Sequence, residues 1–175
     1  MYKILVSDNI SQKGIDILEN EGMEVDFKPA QGREEFLETI SEYDGIIVRS
    51  MTLLDEEALS KAKNLKVIGR AGTGFDNIDL DEATKHGIFV FNTPTGNTIS
   101  AVEHTLGMML SLSRNIPQAN QALHNDIWDR KKYKGVEIKG KTLGIIGLGR
   151  IGSRVAKRAQ SFGMNVIAND PYLAP

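Results

Sequence analysis

Residues 140–170, GKTLGIIGLGRIGSRVAKRAQSFGMNVIAND, constrain the fold of this chain more than any other stretch. Leu143, Gly144, Ile145 and Ile146 form a short apolar run of the kind expected for a parallel strand covered on both faces, so this strand is expected to be buried. Gly147, Gly149 and Gly152 follow as GxGxxG. That pattern permits a tight turn, close backbone approach to a pyrophosphate, and close contact between helix and sheet. Beyond it Ile151, Val155, Ala159 and Phe162 recur at i, i+4, i+8 and i+11, an apolar stripe on one helical face, and Gly163 is placed to end the helix. The amide end of that helix points at the turn and makes an anion site suited to a diphosphate. Val166, Ile167 and Ala168 form the next strand, and Asp170 stands at its end, 18 residues beyond Gly152. A carboxylate there accepts hydrogen bonds from ribose hydroxyls and repels a 2′-phosphate, which favours NAD over NADP. Alone, GxGxxG also fits a purely structural βαβ turn; the strand before it, the helix after it and the acid at its distance carry the dinucleotide reading.

With 41% apolar and 25% charged residues the 175-residue chain is an ordinary globular sequence, long enough for one good core or two small ones. A net charge of -2 gives no reason to expect nucleic acid or an anionic membrane as partner. The basic run Arg130, Lys131, Lys132 and Lys134 is read as a solvated loop. The absence of cysteine excludes disulfides, thiolate metal sites and a cysteine nucleophile within these residues. No stretch approaches the roughly 18 apolar residues that span a bilayer, and the N-terminus lacks a signal-peptide apolar region, so the cytoplasm is the expected compartment.

Before the glycine-rich unit, strand and helix signals alternate. Strands are expected at 4–6, 23–27, 45–48, 65–69 and 88–91. Ser11 is a candidate cap for a helix that ends near Gly22, and Phe36, Leu37 and Ile40 give one face to a second helix. Asp55 is an N-cap candidate with Leu54 and Leu59 as a staple, and Asp79 caps a helix that Gly87 ends. This alternation argues a doubly wound parallel sheet. After the turn-rich NTPTGNT, Ser100 and Glu103 stand as a capping box, with Ile99, Val102, Leu106 and Met109 at helical spacing, and the helix should run to about Arg114. Pro117 fits the first turn of the next helix, with Asn115 as its possible cap, and 126–140 is expected to be a loop carrying Trp128. The boundary falls near residue 95: a doubly wound α/β domain over 1–95, then residues 96–175 as the first βαβ part of a Rossmann nucleotide-binding domain. A complete domain of that kind has strand order 3-2-1-4-5-6, of which only strands 1 and 2 are present here, so strand 1 should lack one neighbour. The chain is therefore expected to be a piece of a larger protein.

Five stretches together carry a resemblance that spans nearly the whole chain: VRS ending at Ser50, GRAGTGFDNID ending at Asp79, GNTISAVEHTLGMML ending at Leu110, GKTLGIIGLGRIG ending at Gly152, and FGMNV with NDPY ending at Tyr172. The chain resembles the D-isomer specific 2-hydroxyacid dehydrogenases. The resemblance implies NAD-linked oxidation of the 2-hydroxyl of a phosphorylated 2-hydroxy acid, 3-phosphoglycerate, to 3-phosphohydroxypyruvate at the start of serine biosynthesis. It implies a flavodoxin-like substrate domain placed before the nucleotide domain, and a homodimer or higher homo-oligomer built around the nucleotide domains. It places the catalytic arginine, glutamate and histidine in the later half of the nucleotide domain. None of the present residues matches them, so no catalytic residue is expected here and the chain alone is expected to be inactive.

Arg49 ends one apolar strand and Arg70 follows another, at the carboxyl ends where ligands gather in open α/β sheets, and two guanidinium groups suit a substrate bearing both carboxylate and phosphate. The alternative is that both make surface ion pairs. By resemblance, Ser50, Gly72, Gly74 and Asn97 join them around the substrate, with Thr73 on the cofactor side; Gly72 and Gly74 are otherwise plain turn glycines. By the same resemblance Arg150 and Ile151 meet the cofactor through their backbone, and Asp170 holds the adenosine ribose. His104, beside Glu103 in the first turns of its helix, has no partner at i+4 and is read as structural or interfacial. His86 and His124 look like exposed helix-end residues. Two other readings stay open: a glyoxylate or hydroxypyruvate reductase of the same family, and an NAD-responsive binding protein that kept the fold without the chemistry.

Overall fold

The computed structural model describes residues 1–29 and 31–172 and divides the chain into two compact units, Met1–Gly96 and Asn97–Pro175. The last three residues of the expected second domain lie outside the described residues.

In the first unit, β-branched and leucine-rich runs too short for helices form five parallel strands: β1 (Lys3–Val6), β2 (Glu24–Phe27), β3 (Gly45–Val48), β4 (Val67–Arg70) and β5 (Phe89–Asn92). Their spatial order is β2-β1-β3-β4-β5, the flavodoxin-like doubly wound order. Right-handed crossovers then dictate which face each helix covers. The step from β1 to β2 runs opposite to every later step, so α1 (Gln12–Asn20) lies on one face. The other face takes α2 (Arg33–Thr39), α3 (Glu56–Lys61) and α4 (Leu80–Lys85). The principal core agrees with this, since it joins Leu5, Ile46, Val48 and Ile68 of the strands to Phe36 and Leu37 of α2, Leu59 of α3 and Ala83 of α4. Caps are local and were legible. The Asp55 side chain accepts from the Ala58 amide and Asp79 from the Glu82 amide, while Gly22 and Gly87 adopt left-handed backbone at helix ends. Ser11 occupies its N-cap position without a side-chain cap bond.

The second unit contains α5 (Thr98–Ser113), α6 (Ile116–His124), β6 (Thr142–Ile146), α7 (Gly152–Ser161) and β7 (Asn165–Asn169). β6 and β7 pair in parallel, Leu143 beside Val166 and Ile145 beside Ala168. Val102 and Leu106 of α5 and Val155 of α7 form a small core against Leu143 and Ile145. Two expectations are corrected here. β6 is not buried on both faces: Thr142, Gly144 and Ile146 are exposed, Ile146 at 96%. Its side chains alternate between two faces, α5 and α7 cover one of them, and among the described residues β7 is its only strand partner. The capping box is also displaced, because α5 begins as soon as the 93–96 turn closes, with Asn97 at the N-cap and Ser100 already inside the first turn. Asn115 precedes α6 in left-handed backbone and makes no side-chain cap bond. The apolar stripe of α7 is buried at Val155 and Ala159, while Ile151 and Phe162 at its ends are exposed. Residues 126–140 hold turns without a helix or strand, and Trp128 and the basic run within them are exposed. His104 lies on an exposed position of α5, and His86 pairs with Glu82 at the end of α4. Among the described residues no helix is long and apolar enough to cross a membrane.

Candidate functional site

Parallel strands bring their carboxyl ends to one edge of the first sheet, and the expected substrate residues of this unit stand there. The edge is built round a buried acid. Asp8, just past β1 and 4% exposed, accepts through Oδ2 from the backbone amides of Arg49 (2.5 Å), Met51 (3.3 Å) and Thr52 (3.4 Å). Its Oδ1 takes the Thr52 hydroxyl at 3.0 Å. A carboxylate with several amide donors needs no cation to be satisfied, and it winds the segment after β3 into a fixed loop. Arg49 is the first residue past β3, exposed, with Nη1 donating to the Asn9 carbonyl at 3.3 Å; Ser50 beside it is exposed.

Arg70 differs from expectation in being the last residue of β4 and only 8% exposed. Its Nε donates to Asn77 Oδ1 at 3.0 Å. Neither Arg49 nor Arg70 forms an ion pair among the described residues. Gly72 is more than a plain turn residue, since a Cβ there would collide with the Arg70 guanidinium; at Gly74 a Cβ would strike the Asp76 carboxylate. Thr73 is exposed, and its carbonyl accepts from Asn92 Nδ2 at 2.6 Å.

A pocket of about 220 Å³ adjoins this edge, lined by Ser7, Asp8, Gln31, Arg33 and Thr52 among others. Arg33 is not free to serve a ligand there. It is engaged by Asp55 (2.5 Å), Glu57 (3.3 Å) and the Leu53 carbonyl (2.8 Å). Burial pushes the Asp55 carboxyl up, but the hydrogen bonds from Arg33 and the capping amide of Ala58 outweigh it and hold it below the usual carboxylate range.

In the second unit Gly147 has φ +89°, and its amide bonds back to the Asn169 carbonyl at 2.8 Å, so the chain turns sharply at the end of β6. At Gly152 a Cβ would run into the Gly147 carbonyl oxygen, whereas at Gly149 it would meet nothing within 4 Å. The first and third glycines are thus required by the turn, and the second leaves open backbone. The amides of Gly149, Arg150, Ile151 and Gly152 donate to no group among the described residues, while Ser153 already bonds to the Gly149 carbonyl at 3.0 Å. Orphan amides at a helix start are an anion site, so a diphosphate fits these residues. Arg150 and Ile151 are exposed at this turn. Asp170 accepts from the Leu148 amide (2.7 Å) and the Tyr172 amide (2.9 Å), one on each oxygen. It therefore braces the glycine turn and still has lone pairs for hydroxyl donors. Asn97 is exposed at the N-cap of α5, and its carbonyl takes the Ala101 amide. Sequence reasoning missed Asp8 and Asn77. Asp8 follows β1 as Arg49 follows β3, and Asn77 lies inside the GRAGTGFDNID stretch, but neither position says what its side chain reaches.

The family model described as D-isomer specific 2-hydroxyacid dehydrogenase, catalytic domain, matches residues 4–169. A D-3-phosphoglycerate dehydrogenase of Methanocaldococcus jannaschii is 52% identical over 173 residues, covering 99% of this chain and 33% of that protein. Among solved structures, the NAD+-bound 3-phosphoglycerate dehydrogenase of Entamoeba histolytica has a TM-score of 0.79 at 34% identity, over 99% of this chain and 55% of that one. A glyoxylate reductase from Paecilomyes thermophila has a TM-score of 0.88 at 31% identity, over 99% of this chain and 57% of that one. The chain spans about a third of the length of the curated relatives it matches. A flavodoxin-like sheet followed by a strand, a GxGxxG turn, a helix and a strand, matched over nearly every residue, shows that the chain belongs to the D-isomer specific 2-hydroxyacid dehydrogenase family.

Proposed function

We propose that this chain is the substrate-binding unit and the front of the NAD-binding unit of a dehydrogenase that oxidises the 2-hydroxyl of 3-phosphoglycerate to 3-phosphohydroxypyruvate, at the start of serine biosynthesis. The observation that carries the reading is Arg70, a guanidinium nine-tenths buried at a strand end without an acidic partner among the described residues, beside the Arg49 loop. A buried cation is stable only when paired, and an anionic substrate supplies the pair. Arg49 and Arg70 take the carboxylate and phosphate, with Ser50, Gly72 and Gly74 beside them; Asn97 is likewise assigned to the substrate and Thr73 to the cofactor. The orphan amides of Gly149, Arg150, Ile151 and Gly152 hold the diphosphate of NAD, with Gly147 shaping the turn, and Asp170 holds the adenosine ribose. When bound, the cofactor supplies the hydride acceptor at its nicotinamide ring. The residues present here bind and orient; none of them is assigned the proton transfer. The names of the relatives support the phosphorylated substrate. The likeness to a glyoxylate reductase favours one second reading, reduction of an unphosphorylated 2-oxo acid.

The deciding experiment compares kcat/KM for 3-phosphoglycerate and for glycerate in the full-length protein with NAD. A preference for the phosphorylated acid of about a hundredfold or more is expected from losing one desolvated phosphate contact pair. A preference for glycerate would overturn the substrate assignment.

A further inference from the structure

Asn77 is 7% exposed and lies between the two arginines. Its Oδ1 accepts from Arg70 Nε at 3.0 Å, while its Nδ2 donates to the Arg49 carbonyl at 2.9 Å and the Thr52 carbonyl at 2.7 Å. The partners dictate the orientation of the amide, because a flipped side chain would set an oxygen against two carbonyls and an NH2 against a guanidinium donor. The backbone under it is also pinned. Its carbonyl accepts the Leu54 amide at 2.9 Å, and Leu54 pairs with Ile78 in an isolated parallel bridge. We propose that Asn77 is a positioning residue for substrate recognition, locking the Arg70 guanidinium and the Arg49 loop into one anion-binding frame. This rests on the reading of Arg49 and Arg70 as substrate contacts.

Two features favour an amide at this position over any other polar group. Occupying Nε alone leaves both Nη nitrogens of Arg70 for a ligand, and the missing Cβ of Gly72 lets the guanidinium lie close against that backbone. An aspartate would hold the same nitrogen but would neutralise the guanidinium and repel the two carbonyls. Asparagine orients the cation and leaves its charge to the ligand.

The test uses the full-length protein and four variants, Asn77→Asp, Asn77→Ala, Arg70→Gln and the double Arg70→Gln/Asn77→Ala. Asn77→Asp keeps volume and the Arg70 acceptor. It is expected to raise KM for 3-phosphoglycerate by about tenfold or more, with KM for NAD and kcat within about twofold, the signature of lost substrate binding. Asn77→Ala should raise it similarly, and in the Arg70→Gln background the same change should add clearly less than it does in the parent protein, leaving only the part that acts through the Arg49 loop. Lowered kcat or melting temperature with KM unchanged would mean a merely structural role and would overturn the proposal, as would failure of both Asn77 variants to fold. If Arg70→Gln itself leaves KM unchanged, the substrate reading fails. If Arg70→Gln raises KM and the Asn77 variants do not, that reading stands and only the present inference is lost.

Discussion

Tyr43 is fully buried, yet its hydroxyl donates to Asp26 Oδ2 at 2.8 Å, and Lys3 Nζ lies 3.4 Å from the same oxygen. The Tyr43 bond, with help from Lys3, holds the Asp26 carboxyl below its usual range, and burial together with Asp26 pushes the Tyr43 phenol up. Because the folded-state carboxyl is depressed, its contribution to stability is present above the ordinary Asp value of about 3.9 and is lost as pH falls through the lowered one. Tyr43→Phe should therefore cost about 2 kcal/mol at neutral pH. The gap between the two proteins should close in strong acid, as read by urea unfolding across pH. A second residue carries a functional prediction. Asp170→Ala should weaken NAD and reduce the preference for NAD over NADP by about tenfold, since it relieves a like-charge juxtaposition with the 2′-phosphate. The Leu148 and Tyr172 amides also lose their acceptor, so the ratio of the two affinities, not either alone, is the quantity to measure. An unchanged ratio would remove the ribose assignment.

At the scale of elements, the contrast lies between strands that are covered and strands that are not. β1, β3 and β4 are central in their sheet, hydrogen-bonded on both sides, with Leu5, Val6, Ile46, Val48 and Ile68 fully or almost fully buried. β6 and β7 form a two-stranded ribbon whose Ile146 and Ile167 are exposed. Local opening follows buried apolar contact, so in residues 1–175 on their own the amides of β6 and β7 should exchange hydrogen at least about tenfold faster than those of β1, β3 and β4. Equal protection in a native-state exchange experiment would show that the ribbon is covered by something these contacts do not include. Turns and caps, by contrast, depend on neighbours a few residues away. Asp55 and Asp79 capping their helices and Gly87 ending one were legible for that reason, whereas the start of α5 was missed because two good capping residues, Asn97 and Ser100, stand three apart.

For the whole molecule, a doubly wound parallel sheet was legible from the alternation of strands and helices, whereas its flavodoxin-like character came only from the family resemblance; right-handed crossovers and short connections leave few ways to wind five strands. The glycine turn was legible because one glycine needs its φ and another needs its missing Cβ, both local conditions. The frame round the arginines was not. Asp8 and Arg49 are 41 positions apart, and Asn77 reaches back 28 to the Arg49 carbonyl, distances over which sequence spacing carries no information about contact.

The amino-acid sequence by itself determined the succession of strands and helices, the glycine turn and the family, since each follows from residue type and short-range spacing. Tertiary structure alone decided that Arg70 is buried without an acidic partner among the described residues and that Asp8 and Asn77 hold the segment after β3. Burial and charge pairing are properties of surfaces brought together from distant parts of the chain, and no local pattern specifies them.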